Sequence, residues 1–366
     1  IRLLDNNRIA LGVYVKQHSA AHTGKAEIWL GSSKGITPNV TSDKKKALQI
    51  AVIDMDKAKW LNVSDPIKWM DYRFDYNDRL YSFEVNELED FKNQYPDRNL
   101  AVYSKDYEQL EKSLRIAGSD NTVFDMPGLN GLLFFNGKNW SRYYRVRQVD
   151  KVVAVTEGVD DLFYNADSEL YLISNAQTRQ SFPVYKDSNV IFHGYHDLWF
   201  YNINTRSFMR KTNGKEQRTR YQVEACNYTA ENKMWSWGML RKLDRYSDMV
   251  LSWYNPENNR EGIALFDKAG RTRTILEDSV RYTQILRAPK YITYVKEKAS
   301  NPPALFVYAI VSGKERLLFQ SNLHDKQAEN LRSSYIKWDN GNGGKSGAIV
   351  RYPFNYDPSV KYPAIV

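Results

Sequence analysis

The pentapeptide Gly31-Ser32-Ser33-Lys34-Gly35 matches the pattern G-x-S-x-G, in which a serine at a sharp strand-to-helix turn attacks a carbonyl carbon. The pattern requires a helix after the serine, because backbone N–H groups at that turn stabilise the oxyanion. The next residues, ITPNVTSD, are rich in β-branched side chains and contain a proline, so no helix is expected there. We therefore interpret Ser33 as a hairpin residue, and we expect no catalytic residue in this chain.

Two pairs of histidines have spacings that could serve a metal ion. His18 and His22 are four residues apart, which on a helix would let two imidazoles share one metal. Their surroundings read as a loop, as do those of His193 and His196, which flank Gly-Tyr before an apolar run. Neither pair has a third ligand in view, and the single cysteine, Cys226, excludes a cysteine-based zinc site and an intrachain disulfide. We predict no metal site and no cofactor.

The charge of the chain does not indicate a nucleic-acid partner. The 52 Lys and Arg residues exceed the 43 Asp and Glu residues, which gives a formal net charge of +9. Nucleic-acid binding would require this excess to be gathered into a stripe, whereas the densest basic clusters are only a few residues long. No window approaches about 18 consecutive apolar residues, so the sequence predicts no membrane-spanning helix.

A unit of strand, polar turn and strand recurs along the chain and would have to position any site. The clearest copies are 169–185, 197–212, 262–278 and 304–321, with fainter ones at 26–42 and 46–64. Each begins with alternating or continuous apolar residues, as in LWFYN, continues through a turn rich in Asn, Asp, Gly, Ser and Thr, and ends in β-branched or aromatic residues. This pattern predicts a series of β-hairpins.

The intervals between copies favour a β-propeller over other all-β folds. Hairpins a few tens of residues apart fit four-stranded blades of ~40–50 residues. Immunoglobulin-like sandwiches of about 100 residues each would need linkers that the sequence does not show. The fold class predicted is therefore all-β, a propeller of seven or eight blades. Helices are expected only at 106–118 and, with weaker periodicity, at 85–95.

The pattern changes near residue 325. Beyond that position the sequence indicates a strand at 334–338, a tight Gly- and Asn-rich turn at 339–345, a second strand at 346–352, a proline-rich loop, and a new strand beginning at Ala364. We predict two domains, a propeller over residues 1–328 and the opening of a second domain over residues 329–366.

Two blocks near this boundary resemble the domain junction of the prolyl oligopeptidase family of serine peptidases, which includes dipeptidyl peptidase IV and the acylaminoacyl peptidases. They are SNPPALFVYAIVSGKERLLFQSN at 300–322 and KWDNGNGGKSGAIVRYPFNYDPSVKYPAIV at 337–366, about a sixth of the chain. The positions in register with the family are Ser300, Asn301, Pro302, Pro303, Gly313, Asn322, Trp338, Gly347, Pro353, Asp357, Pro358, Lys361, Tyr362 and Pro363. The aromatic-rich RYPFNY departs from the family pattern, which has acidic or polar residues there.

The resemblance implies that the propeller precedes an α/β-hydrolase domain that contains the Ser-Asp-His triad. That triad is expected downstream of Val366, so this chain would be the non-catalytic part of a peptidase that admits and positions short peptides. Dipeptidyl peptidase IV relatives hold the substrate amine with two propeller glutamates, for which Glu87 and Glu89 are the nearest candidates, although VNELED does not match the motif and a solvated helix face explains it more simply. Bacterial relatives are often exported, which suggests a periplasmic or secreted protein, and a homo-oligomer is left open.

Two other functions fit the same strand pattern. A stand-alone propeller could bind a protein or a glycan, with the residues after about 330 dispensable. A propeller enzyme with a metal ion in its central channel is the third option, which metal analysis would test. The sequence beyond Val366 distinguishes the peptidase from both, because it would contain G-x-S-x-G after an apolar strand, then Asp and His.

Overall fold

The computed structural model describes most of the chain. The described part comprises residues 2–4, 7–16, 46–62, 70–75, 77–84, 98–104, 106–107, 110–116, 123–146, 149–165, 181–229, 240–243, 246–298, 300–324, 331–339, 341 and 345–364. The chain divides into two compact units. Unit 1 consists of Ile1–Tyr195, Phe200–Met209 and Met234–Arg241, and unit 2 consists of His196–Trp199, Arg210–Lys233 and Lys242–Val366.

Unit 1 begins with three sheets of four strands, each built from strands that follow one another in the chain. The first contains β1 (Arg2–Leu4), β2 (Arg8–Lys16), β3 (Lys46–Asp54) and β4 (Lys59–Asn62); the second contains β5 (Met70–Phe74), β6 (Leu80–Glu84), β7 (Arg98–Tyr103) and β8 (Leu110–Ile116); the third contains β9 (Val123–Phe124), β10 (Gly131–Phe135), β11 (Trp140–Val146) and β12 (Val149–Ala154). Neighbouring strands in all three pair antiparallel.

A five-stranded sheet comes next, and it includes one strand from further along the chain. It contains β13 (Val184–Lys186), β14 (Asn189–His193), β15 (Leu198–Asn202), β16 (Phe208–Arg210) and, from further along the chain, β18 (Arg241–Lys242), in the order β16-β15-β14-β13-β18. The chain between β16 and the next strand forms a single helical turn, α1 (Gly214–Gln217).

The remainder of unit 2 contains two four-stranded sheets and a hairpin. The first sheet contains β17 (Arg220–Val223), β19 (Met249–Asn255), β20 (Arg260–Phe266) and β21 (Thr272–Asp278); the second contains β22 (Arg281–Ala288), β23 (Tyr291–Lys298), β24 (Asn301–Ala309) and β25 (Lys314–Gln320); the hairpin consists of β26 (Ser333–Asp339) and β27 (Lys345–Arg351). A 3-10 turn at Ala225–Asn227 follows β17. Strand β25 is an edge strand that exposes Leu317, Leu318 and Phe319.

Six of the hairpins close with the same local device. The last residue of the first strand, or the one just after it, is Asp or Asn, and its Oδ1 accepts a hydrogen bond from a backbone N–H two to four residues later. The six residues are Asp54, Asp75, Asn136, Asn202, Asn255 and Asp267. Each loop also contains one residue with positive φ, namely Ala58, Asp78, Gly137, Arg206, Asn259 and Gly270. These short polar side chains stabilise tight turns by satisfying backbone donors locally.

The hydrophobic core lies between consecutive sheets. One cluster in unit 1 joins the first sheet to the second, including Val52 and Leu80, and another joins the second to the third, including Leu100 and Phe134. In unit 2, Val250 and Ile263 of the β17–β21 sheet pack against the β22–β25 sheet, including Tyr294. Where burial alternates, as in β8 with Leu114 and Ile116 buried and Ser113 and Arg115 exposed, one face of the strand is turned toward the neighbouring sheet.

The all-β fold predicted from the sequence is confirmed, as are the hairpins at 46–64, 197–212, 262–278 and 304–321. The copy at 26–42 and most of the copy at 169–185 lie outside the described residues, as does the helix expected at 85–95. Closure into a propeller and the number of blades stay predictions. Among the described residues no helix is long and apolar enough to cross a membrane.

The helix predicted at 106–118 is wrong, because residues Leu110–Ile116 form strand β8. Leu114 and Ile116, two residues apart, are both buried in the core between the second and third sheets. The same leucines also fit a helical spacing, so the pairing of β8 with β7 decided between the two. The hairpin predicted near 334–352 is confirmed as β26–β27, whereas residues 352–364 contain no strand and Ile365 lies outside the described part.

Candidate functional site

Most side chains singled out from the sequence lie outside the described residues. This applies to Ser33, His18, His22, Glu87 and Glu89. The structure therefore tests neither the interpretation of Ser33 as a hairpin residue nor a substrate role for the two glutamates. Within the described part, no group of three or more His, Cys, Asp or Glu side chains is arranged to hold a metal ion.

The two remaining histidines of interest have different environments. His193 is the last residue of β14 and is buried, so its predicted loop position is wrong. Burial lowers the pKa of His193 to about 4, and a hydrogen bond to the backbone of Phe182 opposes this shift. His196 lies in the connection to β15, where its Nδ1 is 3.1 Å from the Thr219 carbonyl oxygen. Both histidines serve the local structure.

A buried carboxylate in unit 2 holds the turn before α1. Asp197 is 1% exposed, and its Oδ1 accepts hydrogen bonds from Thr212 Oγ1 at 2.7 Å and from the Gly214 N–H at 2.5 Å. Arg210 Nε lies 2.9 Å from Asp197 Oδ2. A Cβ at Gly214 would lie 2.3 Å from the His196 carbonyl oxygen, so only glycine fits this turn. Both carboxylate oxygens of Asp197 are engaged by its own unit, which indicates a structural role.

A buried cation in unit 1 has a comparable structural role. Arg142 on β11 is 5% exposed, and its guanidinium donates to the carbonyl oxygens of Leu129 at 2.6 Å and Ile203 at 2.8 Å. It also lies 4.8 Å from the centre of the Tyr144 ring, a cation–π contact. Carbonyl oxygens and an aromatic face thus replace water around the charge, although the buried Nε of Arg142 has no hydrogen-bond partner in the described structure.

The described residues of unit 2 form a cleft with a volume of about 820 Å³. Its walls come from the β19–β20 turn, the start of β22, the adjoining ends of β23 and β24, and the hairpin β26–β27. The lining residues are Asn258, Asn259, Glu261, Ser279, Val280, Arg281, Glu297, Lys298, Asn301, Pro302, Pro303, Asn322, Leu331, Ser333, Ser334, Tyr335, Ile349 and Arg351. We refer to this surface as the junction cleft.

One face of the hairpin lines the junction cleft, and a hydrogen bond from Tyr335 joins this face to the β19–β20 turn. Tyr335 pairs with Ile349 across the hairpin, and its hydroxyl donates to the Pro256 carbonyl oxygen at 2.6 Å. The Tyr335 ring crosses the backbone of Gly347, where an added Cβ would lie 2.4 Å from the tyrosine hydroxyl oxygen. Gly347 is therefore required for Tyr335 to reach the β19–β20 turn.

The junction cleft contains charges of both signs. Glu261 is half-buried and its Oε2 accepts a hydrogen bond from the Tyr282 N–H at 3.0 Å. Burial raises the pKa of Glu261, the Tyr282 N–H and the charge of Arg281 lower it, and the nearby Glu297 adds a further increase. Arg281 and Glu297 face each other across β22 and β23. In the described structure, neither Glu297 nor the cleft's cations Arg281, Lys298 and Arg351 make an ion pair.

No spacing in the sequence indicates the junction cleft, although some of the residues that form it are positions that resemble the family junction. Asn301, Pro302, Pro303 and Asn322 belong to the positions that match the family junction, and all four line the cleft. Gly347, also a matching position, underlies Tyr335. These residues lie in two blocks separated in sequence, and only the pairing of the strands brings them to one surface.

No family model matches the sequence, and no curated protein matches it either. Among solved structures, it is similar to Porphyromonas gingivalis dipeptidyl peptidase 4, at 12% identity and a TM-score of 0.49, covering 87% of this chain and 50% of that one. It is also similar to a putative dipeptidyl aminopeptidase IV from Bacteroides ovatus, at 11% identity and a TM-score of 0.46, covering 86% of this chain and 51% of that one. For Pyrococcus horikoshii acylaminoacyl peptidase the identity is 12% and the TM-score 0.38, and the match covers 84% of this chain and 47% of that one. The chain thus spans about half the length of these peptidase structures.

Proposed function

We propose that this chain is the β-propeller part of a serine peptidase of the prolyl oligopeptidase type, joined to the first segment of its α/β-hydrolase domain. The propeller would occupy residues 1–328 and the junction residues 329–366. In this proposal the chain performs no chemistry itself. It admits short peptides and positions them for a Ser-Asp-His triad in a further domain.

The observation that carries the proposal is a change of architecture at the junction. Sheets of four or five strands, each built largely from neighbouring parts of the chain, follow one another as far as β25, and in the described part of the chain the separate two-stranded hairpin β26–β27 comes next. The residues after it are stiffened by Pro353, Pro358 and Pro363, since each proline fixes its own φ and restricts the residue before it. This order is the one expected from the sequence blocks that resemble the family junction.

Physical reasoning gives the propeller two tasks in such a peptidase. Sheets arranged as a ring over a reactive serine would exclude folded proteins by size and shield the acyl-enzyme from bulk water. Loops at the rim of the ring would contact the peptide and fix its direction relative to the nucleophile. Both tasks affect which substrates react, and neither requires an acid, a base or a nucleophile in this chain.

The test compares the 366-residue chain with a longer chain that includes the sequence encoded after Val366. We expect the longer chain to hydrolyse chromogenic dipeptidyl or acylaminoacyl substrates and to react with a fluorophosphonate probe at a serine after Val366. The 366-residue chain should do neither. Turnover by the shorter chain that is lost in Ser33→Ala would overturn the proposal, and a downstream sequence without Ser, Asp and His would favour the stand-alone binding module.

A further inference from the structure

We propose that the junction cleft is a binding site for a short extended peptide that carries charges of both signs. The cleft volume of about 820 Å³ lies within the ~300–1,000 Å³ typical of sites that enclose small ligands. Its walls come from two sheets and the hairpin, and all of its described lining residues belong to unit 2. This inference rests on the proposed function only for the source of the peptide, which would be a substrate or a product.

The hydrogen-bonding groups of the cleft are complementary to a peptide backbone. Four asparagines line it: Asn258, Asn259, Asn301 and Asn322. Within the described structure the Oδ1 atoms of the first three accept hydrogen bonds, whereas the Nδ2 groups of all four donate none to the chain. A peptide carbonyl accepts hydrogen bonds in the geometry that a side-chain amide offers, so these four amides can hold an extended backbone.

The charged groups favour a ligand that is itself dipolar. Lys298 and Arg351 are exposed cations, and Glu297 is a half-buried carboxylate beside Glu261. A purely anionic ligand would be repelled by the two carboxylates, and a purely cationic one by Arg281, Lys298 and Arg351. A short peptide with an acidic and a basic group can satisfy both sets.

The aromatic content of the cleft argues against a sugar or a nucleotide. Such ligands are commonly held by stacking on an open aromatic face. Tyr335 is the one aromatic residue among the described lining residues. Its ring packs on Gly347, and its hydroxyl donates a hydrogen bond to the Pro256 carbonyl oxygen. Its face is therefore committed to fixing the hairpin, and oligosaccharide binding becomes an outcome for the test to distinguish.

The test uses the 366-residue chain and saturation-transfer NMR, which detects weak ligands on a protein of this size. The probes are the hexapeptide Ala-Lys-Ala-Ala-Glu-Ala, its capped analogue with both charged residues replaced by serine, and maltohexaose. We expect the charged peptide to bind, and the capped neutral peptide to bind at least tenfold more weakly. Equal binding of the two peptides, or stronger binding of maltohexaose, would overturn the proposal.

Three variants locate the site. Ser279→Trp fills the cleft from an exposed position and should abolish binding of the charged peptide, and Arg351→Ser should weaken it roughly tenfold through the loss of a charge-assisted hydrogen bond. Arg332→Ser is the matched control, because Arg332 precedes the same hairpin but does not line the cleft. Melting temperatures show that each variant is folded. Binding that is unchanged in both cleft variants, or reduced equally in the control, would contradict the assignment.

The outcome is separable from that of the proposed function. Peptide binding is measured without turnover on the chain as it is, whereas the proposed function is tested by hydrolysis in the longer chain. Binding without a downstream triad would leave the junction cleft as the site of a peptide-binding module. Hydrolysis in the longer chain with no binding at the junction cleft would refute only the peptide site.

Discussion

Asn227 provides the sharpest test of the packing in unit 2, because its side chain bonds the backbone of two other residues, Glu224 and Val250. It is 3% exposed. Its Oδ1 accepts the Val250 N–H at 2.8 Å, and its Nδ2 donates to the carbonyl oxygens of Val250 at 2.7 Å and Glu224 at 2.8 Å. Asn227→Asp keeps the shape and the first hydrogen bond, but it sets a carboxylate oxygen against two buried carbonyl oxygens.

The loss of stability expected for Asn227→Asp follows from these contacts. The carbonyl oxygens of Val250 and Glu224 each keep one backbone donor, the N–H groups of Glu224 and Asn227, but each would face a carboxylate oxygen in place of an amide N–H. This repulsion and the burial of an unpaired negative charge lead us to expect a loss of about 3–5 kcal/mol at pH 7. The melting temperature of a unit of this size shifts by about 2–4 °C for each kcal/mol of stability lost. The melting transition of unit 2 should therefore fall by roughly 6–20 °C, as measured by calorimetry or by near-UV circular dichroism.

The pH dependence separates this mechanism from simple loss of packing. Burial raises the pKa of the introduced carboxyl in the folded state above its value of about 3.9 in the unfolded chain. A raised folded pKa means that the penalty is smallest at low pH and grows as pH rises through that folded value. The gap in melting temperature between the variant and the parent chain should thus be smaller at pH 5 than at pH 7.

Asn136→Asp is the matched control. Asn136 is exposed, and its Oδ1 accepts the backbone N–H groups of Lys138 and Asn139, which a carboxylate accepts equally well. We expect Asn136→Asp to change the free energy of unfolding by no more than about 0.5 kcal/mol. If Asn227→Asp melts within 2 °C of the parent chain at pH 7 (roughly 1 kcal/mol or less), or if the gap widens at pH 5, the assignment of these hydrogen bonds is refuted.

Three further predictions concern other parts of the chain. Gly347→Ala should displace Tyr335 from its hydrogen bond to Pro256 and raise amide exchange in β26 about tenfold, as measured by mass spectrometry; unchanged exchange would show that the hairpin does not depend on this contact. Because burial lowers the pKa of His193 to about 4 from 6.5, stability should fall by about 3 kcal/mol as pH decreases across that interval, and His193→Gln should flatten this dependence in urea titrations. Asp197→Asn should lower the free energy of unfolding by about 2–4 kcal/mol in the same titrations, since it breaks the buried hydrogen bonds and the ion pair of Asp197. Glu216→Gln, which changes an exposed partner of Arg210, should leave the midpoint unchanged, and equal losses would contradict the structural role of Asp197.

The sequence predicted strands well where short apolar runs are separated by polar turns. In LWFYN, Leu198 and Tyr201 are both buried although alternation places them on opposite faces, and the predicted hairpin at 197–212 is present. At 106–118 the leucines fitted a helix and a strand equally, and long-range pairing with β7 decided the outcome. Local pattern therefore identified the fold class, whereas residues with ambiguous spacing required tertiary context.

The candidate site could not be predicted from spacing at all. Glu261, Glu297 and Arg351 lie tens of residues apart and belong to three different antiparallel pairs. No local motif unites them, because the cleft arises where the ends of separate strands meet. The turn device is visible in the sequence, since Asp or Asn recurs at the ends of strands such as Asp54 and Asp267, but composition alone predicts only a turn there and not the hydrogen bonds that close it.

The exposed edge of the β22–β25 sheet has a practical consequence for handling the protein. Strand β25 leaves one row of backbone N–H and C=O groups without a neighbouring strand in the described structure, beside the exposed Leu317 and Phe319. An edge of this kind accepts a strand from another molecule, and here Lys314 and Arg316 supply the charges that oppose it. Self-association in concentrated samples is therefore expected to begin at β25 and to increase with salt, which screens those two charges.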